Sequence, residues 1–268
     1  MNSVNEDIRV VQQVTPWQDH IATVASILAR ARRVAVLTGA GMSADSGLPT
    51  YRGIGGLYND IEIEQNMPIE DILHAYTLAR NPALTWKYIA QIDNACRAAG
   101  PHDGHRVLAA WDARFELWVM TQNVDGFHRA AGSRNVVELH GNLARLYCCA
   151  CRAEFDKLDF DLNVLPPRCL HCDGLVRPDV VLFGEMLPPA AVASYERELA
   201  RGFDVMLAIG TTAAFPYIAE PLLSAVARGC VTVEINPDRT SLSSEVQHHL
   251  AGPAREVLVA LAALLERA

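Results

Sequence analysis

The chain has 268 residues, half of them hydrophobic, enough for one large core with a small satellite but short for two full domains. Its formal charge of -8 argues against a general nucleic-acid or membrane-surface binder, which needs a basic face. No apolar run approaches the ~18 residues that span a bilayer, so a soluble, cytoplasmic protein is expected.

Residues 16 to 32 place Ile21, Val24, Ala25, Ile27 and Leu28 at helical spacing, behind a loose N-terminal arm. The short β-branched run 34 to 38 reads as a buried parallel strand that breaks into Gly39-Ala40-Gly41. Glycine there permits positive φ and close approach to a ligand, and residues 42 to 46 can open a helix whose free N–H groups face a pyrophosphate. Ala44 completes a G-x-G-x-x-G/A pattern, which alone is as compatible with a plain turn. Gly47 and Pro49 stop that helix and hand over to a loop ending at Arg52-Gly53, which reads as a lid. Residues 54 to 100 form an inserted helical module, with pieces at 69 to 80 and 83 to 100.

Strand signals return at 115 to 120 and 136 to 139, running into Gln122-Asn123-Val124-Asp125 and His140-Gly141. A strand at 180 to 184, a helix at 189 to 201, a strand at 204 to 210, a helix at 218 to 227, a strand at 230 to 235 and a helix at 254 to 267 complete the chain. Strand and helix alternate, so the expected fold is α/β, a doubly wound parallel sheet.

Seven cysteines is an odd number, and Cys148-x-x-Cys151 and Cys169-x-x-Cys172 stand seventeen residues apart, the pattern of a four-thiolate zinc ribbon. Four protein ligands close the coordination sphere, so the ion would be structural; Cys149 and His171 are adjacent substitutes. His140 emerges at a strand's C-terminal end and suits general-base work, although a polar loop residue is the plain alternative. Asn123 and Asp125 offer paired contacts for a carboxamide such as nicotinamide, or they cap turns. Gly210-Thr211-Thr212 is a second candidate phosphate loop, and Asn236 a candidate ribose contact. The acidic ribose reader of a dehydrogenase would fall near Asp60, Glu62 or Glu64, inside the helical insert, which disfavours hydride transfer.

Together GAGMSADSGLPTYRG, TQNVDGFHRAAG, VVELHGN, the paired CxxC, RPDVVLFGE, GTT and EIN resemble the sirtuin family of NAD-dependent protein deacylases over roughly residues 20 to 265. The resemblance implies a Rossmann-like NAD-binding large domain (1–53, 101–143 and 178–268). It also implies a small domain made of the helical module and the zinc ribbon (54–100 and 144–177). NAD and an acyl-lysine protein substrate would meet in the cleft between them, with no nucleic acid or membrane partner and a monomeric state. It casts His140 as the base that activates the ribose hydroxyl, after the acyl oxygen has displaced nicotinamide. Gly39, Ala40, Gly41, Ser43, Ala44, Tyr51, Arg52, Gln122, Asn123, Asp125, Gly210, Thr211, Thr212 and Asn236 would hold NAD. Val181, Leu182, Phe183 and Gly184 would pair with the peptide as an added strand. The products would be free lysine, nicotinamide and O-acyl-ADP-ribose.

Thr50, Tyr51, Tyr58 and Thr212 depart from the commonest family residues. Thr50 is usual in the branch that removes succinyl and malonyl groups, but the Tyr-x-x-Arg pair of that branch is missing. Tyr76 and Arg80 are one residue too far apart, and Ile89 and Ile92 occupy the expected positions. Acetyl or another apolar acyl group is the expected substrate. ADP-ribosyl transfer, NAD hydrolysis and an NAD-sensing zinc module are the rival readings.

Overall fold

Val34 to Thr38 are all buried, and successive side chains leave the strand on opposite faces, so this short run seeds two apolar layers at once. The computed structural model describes residues 17–49 and 67–267. Strand β1 (Arg33–Thr38) is central in a six-stranded sheet of order β3-β2-β1-β7-β8-β9. The other strands are β2 (Glu116–Thr121), β3 (Val136–Glu138), β7 (Val205–Ile209), β8 (Val231–Ile235) and β9 (His248–Leu250). Every pairing in it is parallel.

One face of that sheet packs Val34, Val36, Leu207 and Val233 against α1 (Gln18–Leu28), α6 (Asp103–Trp111) and α10 (Ala254–Leu265). The other packs Ala35, Leu37 and Ala208 against α8 (Pro189–Arg201) and α9 (Pro216–Ala227). The doubly wound parallel sheet expected from the alternation is therefore present. After β1 the chain steps outward to β2 and β3, then returns to add β7 on the other side of β1. The crevice outside the carboxyl ends of β1 and β7 is the switch point where open α/β sheets take ligands.

A second sheet, β5-β4-β6, is antiparallel and built from Gly141–Cys148 (β4), Glu154–Asp156 (β5) and Val176–Val180 (β6). It shares one apolar cluster with α3 (Ile69–Ile72), α4 (Ala75–Arg80) and α5 (Pro82–Ala98). Two polar ties reinforce the packing: Trp86 Nε1 donates to the Val176 carbonyl at 2.9 Å, and Lys157 Nζ reaches Asp93 at 2.7 Å. No helix among the described residues is long and apolar enough to cross a membrane.

Two expectations need correction. The strand read at 180 to 184 ends at Val180. Leu182 instead donates its N–H to Glu185, and Gly184 takes a positive φ of 81°, so 181 to 184 is a loop. The helix read at 69 to 80 is broken at Leu73-His74, where the Phe183 N–H donates to the Leu73 carbonyl and Ala75 returns a bond to Phe183.

Candidate active site

The loop after β1 and the loop after β7 interlock. Gly39 donates its N–H to Ile209 and Gly41 to Gly210, at 3.1 and 2.8 Å. A Cβ on Gly41 would lie 2.7 Å from Gly210 Cα, and one on Gly210, whose φ is +58°, 2.2 Å from the Met42 nitrogen. Neither Gly39 nor Gly41 takes a positive φ; their bareness serves loop-to-loop contact. The helix after them, α2 (Gly41–Ala44), is a single turn, and Met42 and Ser43 donate their N–H groups to Gly39 and Ala40. The free row of N–H donors expected from the sequence is thus engaged within the protein.

Side chains from β2's end close on this interlock. Asn123 Nδ2 donates to the Gly39 carbonyl at 3.0 Å and to Ser43 Oγ at 3.2 Å, and Ser43 Oγ donates to Asp125 Oδ2 at 2.7 Å. Asp125 Oδ1 accepts from the Phe127 N–H, so the same carboxylate faces the crevice and caps the turn into α7 (Phe127–Ala130). Burial pushes the Asp125 carboxyl above its usual range, against the Phe127 and Ser43 hydrogen bonds. Gln122 Nε2 donates to Thr211 Oγ1 at 2.9 Å, and Asn236 Nδ2 to the Thr211 carbonyl at 3.3 Å. Thr212 lies exposed beside them. Tyr51 and Arg52, with Thr50, Gly53, Tyr58 and the carboxylates at 60, 62 and 64, fall outside the described residues.

His140 sits where the large sheet hands over to the small one. Gly141 follows it with a φ of +80°, and a Cβ there would stand 1.9 Å from the Asp179 carbonyl oxygen, so β4 can approach β6 only with glycine at this point. The His140 carbonyl accepts from the Val181 N–H at 2.9 Å, and its ring nitrogen Nε2 lies 2.6 Å from Tyr217 Oη. Burial lowers the imidazole pKa below 6.5, with a backbone bond at Gln122 opposing, so the ring is neutral at pH 7. A neutral ring can accept a proton.

Loop 181–184 is held by a clip that sequence reading did not detect. Arg177, 8 % exposed in its side chain, makes a bidentate pair with Glu185 (2.5 and 2.9 Å) and donates to the Val180 carbonyl at 2.7 Å. Glu185 in turn accepts from the Leu182 N–H. The signal was an arginine and a glutamate bracketing an apolar run in RPDVVLFGE. Also undetected were three buried histidines behind β1 and β2. His102 Nε2 lies 2.6 Å from the Met42 carbonyl, His128 Nε2 lies 3.0 Å from Thr38 Oγ1, and His105 stands between their rings, tilted to the first and edge-on to the second.

Cys148, Cys151, Cys169 and Cys172 place their Sγ atoms within 4.8 Å of one another. The 3.5 Å from Cys148 to Cys172 and 3.6 Å from Cys151 to Cys169 are too long for disulfides. They are close to the ~3.8 Å edge of a tetrahedron with Zn–S bonds of about 2.3 Å. Backbone N–H groups of Ala150, Cys151 and His171 point at the sulfurs, as thiolate ligands require. The cluster fits a structural zinc ion. The two sequence alternatives drop out: the four sulfurs gather without Cys149, and His171 stacks on Phe155. The cluster starts at the far end of β4 from His140, about 25 Å away at strand rise, which separates the metal from the crevice.

A doubly wound sheet with interlocked glycine loops at its switch point, a half-buried histidine beside it and a four-cysteine ribbon define a nucleotide-binding α/β protein with a structural metal site. Residues 39–215 match the Sir2 family. The chain belongs to that family. It is 52 % identical over 242 residues to the NAD-dependent protein deacylase 2 of Pseudomonas aeruginosa, covering 89 % of this chain and 94 % of that one. The NAD-dependent protein deacylase 2 of Pseudomonas syringae pv. tomato is 48 % identical, with coverage of 88 % and 97 %. A solved complex of a Sir2 homologue with NAD superposes with a TM-score of 0.82 at 36 % identity, covering 91 % of this chain and 93 % of that one. A Sir2 complex with a p53 peptide and NAD gives 0.77 at 27 % identity, with coverage of 92 % and 98 %.

Proposed function

We propose that this protein removes acyl groups from protein lysines in an NAD-dependent reaction, releasing nicotinamide and transferring the acyl group to ADP-ribose. The observation that carries the reading is His140: neutral, at the crevice's edge, and bonded through its carbonyl to the loop assigned to the peptide. NAD supplies the ADP-ribosyl group that accepts the acyl chain. The switch-point residues suit it: Asp125 offers carboxylate lone pairs to a carboxamide, Ser43 Oγ and the Phe127 N–H hold that carboxylate with Asn123 behind Ser43, and Gly39, Ala40, Gly41, Ala44, Gly210, Thr211, Thr212 and Asn236 line the nucleotide side. Gln122 ties the two loops together, and His140 takes the ribose proton.

The peptide is assigned to 181–184. Leu182 gives both backbone groups to Glu185, and Phe183 gives both to residues 73 and 75, so pairing falls to the Val181 carbonyl and to Gly184. The large domain then holds NAD, the helical module and ribbon form the other wall, and the zinc ion holds the ribbon together. An apolar acyl group is favoured: Ile89 and Ile92 pack into the apolar cluster of the module, while Tyr76 and Arg80 face each other, 4.2 Å from guanidinium carbon to ring centre. The cytoplasm is the proposed compartment; the seven unpaired cysteines, four of them gathered for a metal, suit a reducing environment.

The test is a mass-spectrometric time course with NAD and acetyl, butyryl, myristoyl and succinyl lysine peptides, beside a His140→Ala variant. NAD-dependent loss of an apolar acyl group, with O-acyl-ADP-ribose appearing and the variant inactive, is expected. NAD consumed with every peptide intact would instead mean hydrolysis or ADP-ribosyl transfer, and a succinyl peptide turned over fastest would overturn the apolar preference.

A further inference from the structure

His102 stands at the start of α6, and its buried ring joins that helix to the nucleotide loop. Nδ1 accepts from the Gly104 N–H at 2.9 Å and caps the helix. Nε2 lies 2.6 Å from the Met42 carbonyl. A backbone N–H only donates and a backbone carbonyl only accepts, so the ring's one proton sits on Nε2 and is donated to Met42. The fold makes room for this ring. A Cβ on Gly104 would lie 2.7 Å from His102 Cε1, so the second residue of α6 has to be bare where the imidazole lies over it. On the other side His105 Nδ1 accepts from the His102 N–H at 3.3 Å, and the two rings lie with centroids 4.3 Å apart.

The Met42 carbonyl shares one rigid peptide plane with the Ser43 nitrogen, so whatever orients the carbonyl also orients the start of Ser43. Ser43 Oγ donates to Asp125 Oδ2 at 2.7 Å and accepts from Asn123 Nδ2 at 3.2 Å. Beyond Ser43 the segment has separate fastenings. Ser46 Oγ donates to the Gly100 carbonyl at 2.6 Å, and the Asp45 carboxylate accepts from the Arg255 N–H at 2.9 Å. These hold the far end of the segment, and His102 holds the end that carries Ser43.

We propose that His102 is a positioning residue for NAD binding: by donating to the Met42 carbonyl it fixes the Met42–Ser43 peptide plane and aims the Ser43 hydroxyl at Asp125. With Oδ2 held by Ser43 and Oδ1 by the Phe127 N–H, the carboxylate meets its ligand in one orientation. The proposal rests on the reading above, in which Asp125 receives the carboxamide of NAD. Asparagine and glutamine separate the two duties of this histidine. An Asn Oδ1 stands where Nδ1 does and keeps the cap, but the side chain is too short to reach Met42. A Gln Nε2 reaches as far as the histidine Nε2 and keeps the tie, but it gives up the cap.

The experiment compares the full chain as wild type, His102→Asn, His102→Gln, Ser43→Ala and the Ser43→Ala, His102→Asn double variant. NAD affinity is measured by calorimetry, and amide hydrogen exchange is followed on protein free of NAD. His102→Asn should bind NAD about tenfold more weakly, the scale of one hydrogen bond, and exchange its Ser43 amide faster than wild type. His102→Gln should melt about 3 °C lower for the lost cap, yet keep near wild-type NAD affinity and a protected Ser43 amide. Ser43→Ala should weaken NAD binding as His102→Asn does, and the double variant no further, because both act through one hydroxyl. His102→Asn or Ser43→Ala binding NAD as tightly as wild type, or affinity falling in step with melting temperature across the variants, would overturn the role. If wild type deacylates no peptide while the affinities follow the expected pattern, the deacylation reading fails and the positioning role stands.

Discussion

The two sheets are stabilised by different means. The six-stranded sheet buries apolar side chains on both faces, so its order follows from the hydrophobic effect acting on short, nearly continuous apolar runs. The three-stranded sheet contains a register shift in β4 and a cluster that includes two of the four sulfurs, Cys148 and Cys169. A ribbon with so little core of its own depends on its metal. The site lies on the seam, with the nucleotide crevice on the first sheet and loop 181–184 hung from the second. One half of the site is therefore sensitive to packing and the other to the metal.

The sharpest way to break that symmetry is to remove the metal. Cys172→Ser, or a strong chelator, should abolish deacylation because structural zinc contributes on the order of 10 kcal/mol to small metal folds. Proteolysis should then cut between residues 149 and 175 while the large sheet's circular dichroism survives. Truncating the core of the other sheet should do the reverse. Leu207→Ala should cost about 3 kcal/mol and lower the melting temperature by several degrees, with zinc stoichiometry unchanged.

Arg177→Met probes the seam itself. It leaves Glu185 and the Val180 carbonyl without their partner, and should cost about 3 kcal/mol, the low end for a buried pair because Glu185 is 26 % exposed. The KM for peptide should rise well before the KM for NAD, since only the loop proposed to hold the peptide is released.

Acid tests the large sheet through its buried histidines. Burial lowers His105 to about 2 and His128 to about 3, so the folded state keeps both neutral while the unfolded chain protonates them below pH 6.5. Stability contributed by these groups is complete above pH 6.5 and falls as the pH drops from there toward 3. The loss is on the order of 1.4 kcal/mol per histidine per pH unit, readable as a lower urea midpoint at pH 5.5 than at pH 7.5. His140 titrates below 6.5 for the same reason, so the acid limb of acyl transfer should lie below that pH. The smallest effect expected is that of Trp86→Phe. It removes the indole bond to Val176 and should cost about 1 kcal/mol, seen as a modest drop in melting temperature with zinc retained.

The same difference decides what the sequence revealed. Strands β1, β2, β7 and β8 are apolar runs bounded by polar or glycine residues, and periodicity alone located them. Strands β4, β5 and β6 were missed because a three-residue Glu-Phe-Asp strand and a strand containing Pro178 carry no alternating pattern, although the cysteine spacing located the ribbon around them. Helix α6 was missed because its cap is His102, whose Nδ1 accepts from Gly104 where Ser, Thr, Asp or Asn would have been the recognisable signal. At the site, His140, Asn123 and Asp125 were legible as polar residues at strand ends. His102 and the Arg177–Glu185 clip were not, since each matters through a partner that only tertiary structure supplies.

The contact between Gly39, Gly41 and Gly210 joins backbone to backbone. No side chain on either loop can shrink to make room, so a substitution at one of these glycines has no compensating substitution at another. Variation that reaches the crevice has to pass through residues such as Thr212 and Phe215, whose side chains stand clear of the interlock. Any redesign of nucleotide preference must therefore treat the two loops as one inherited block, exchanged together or left alone.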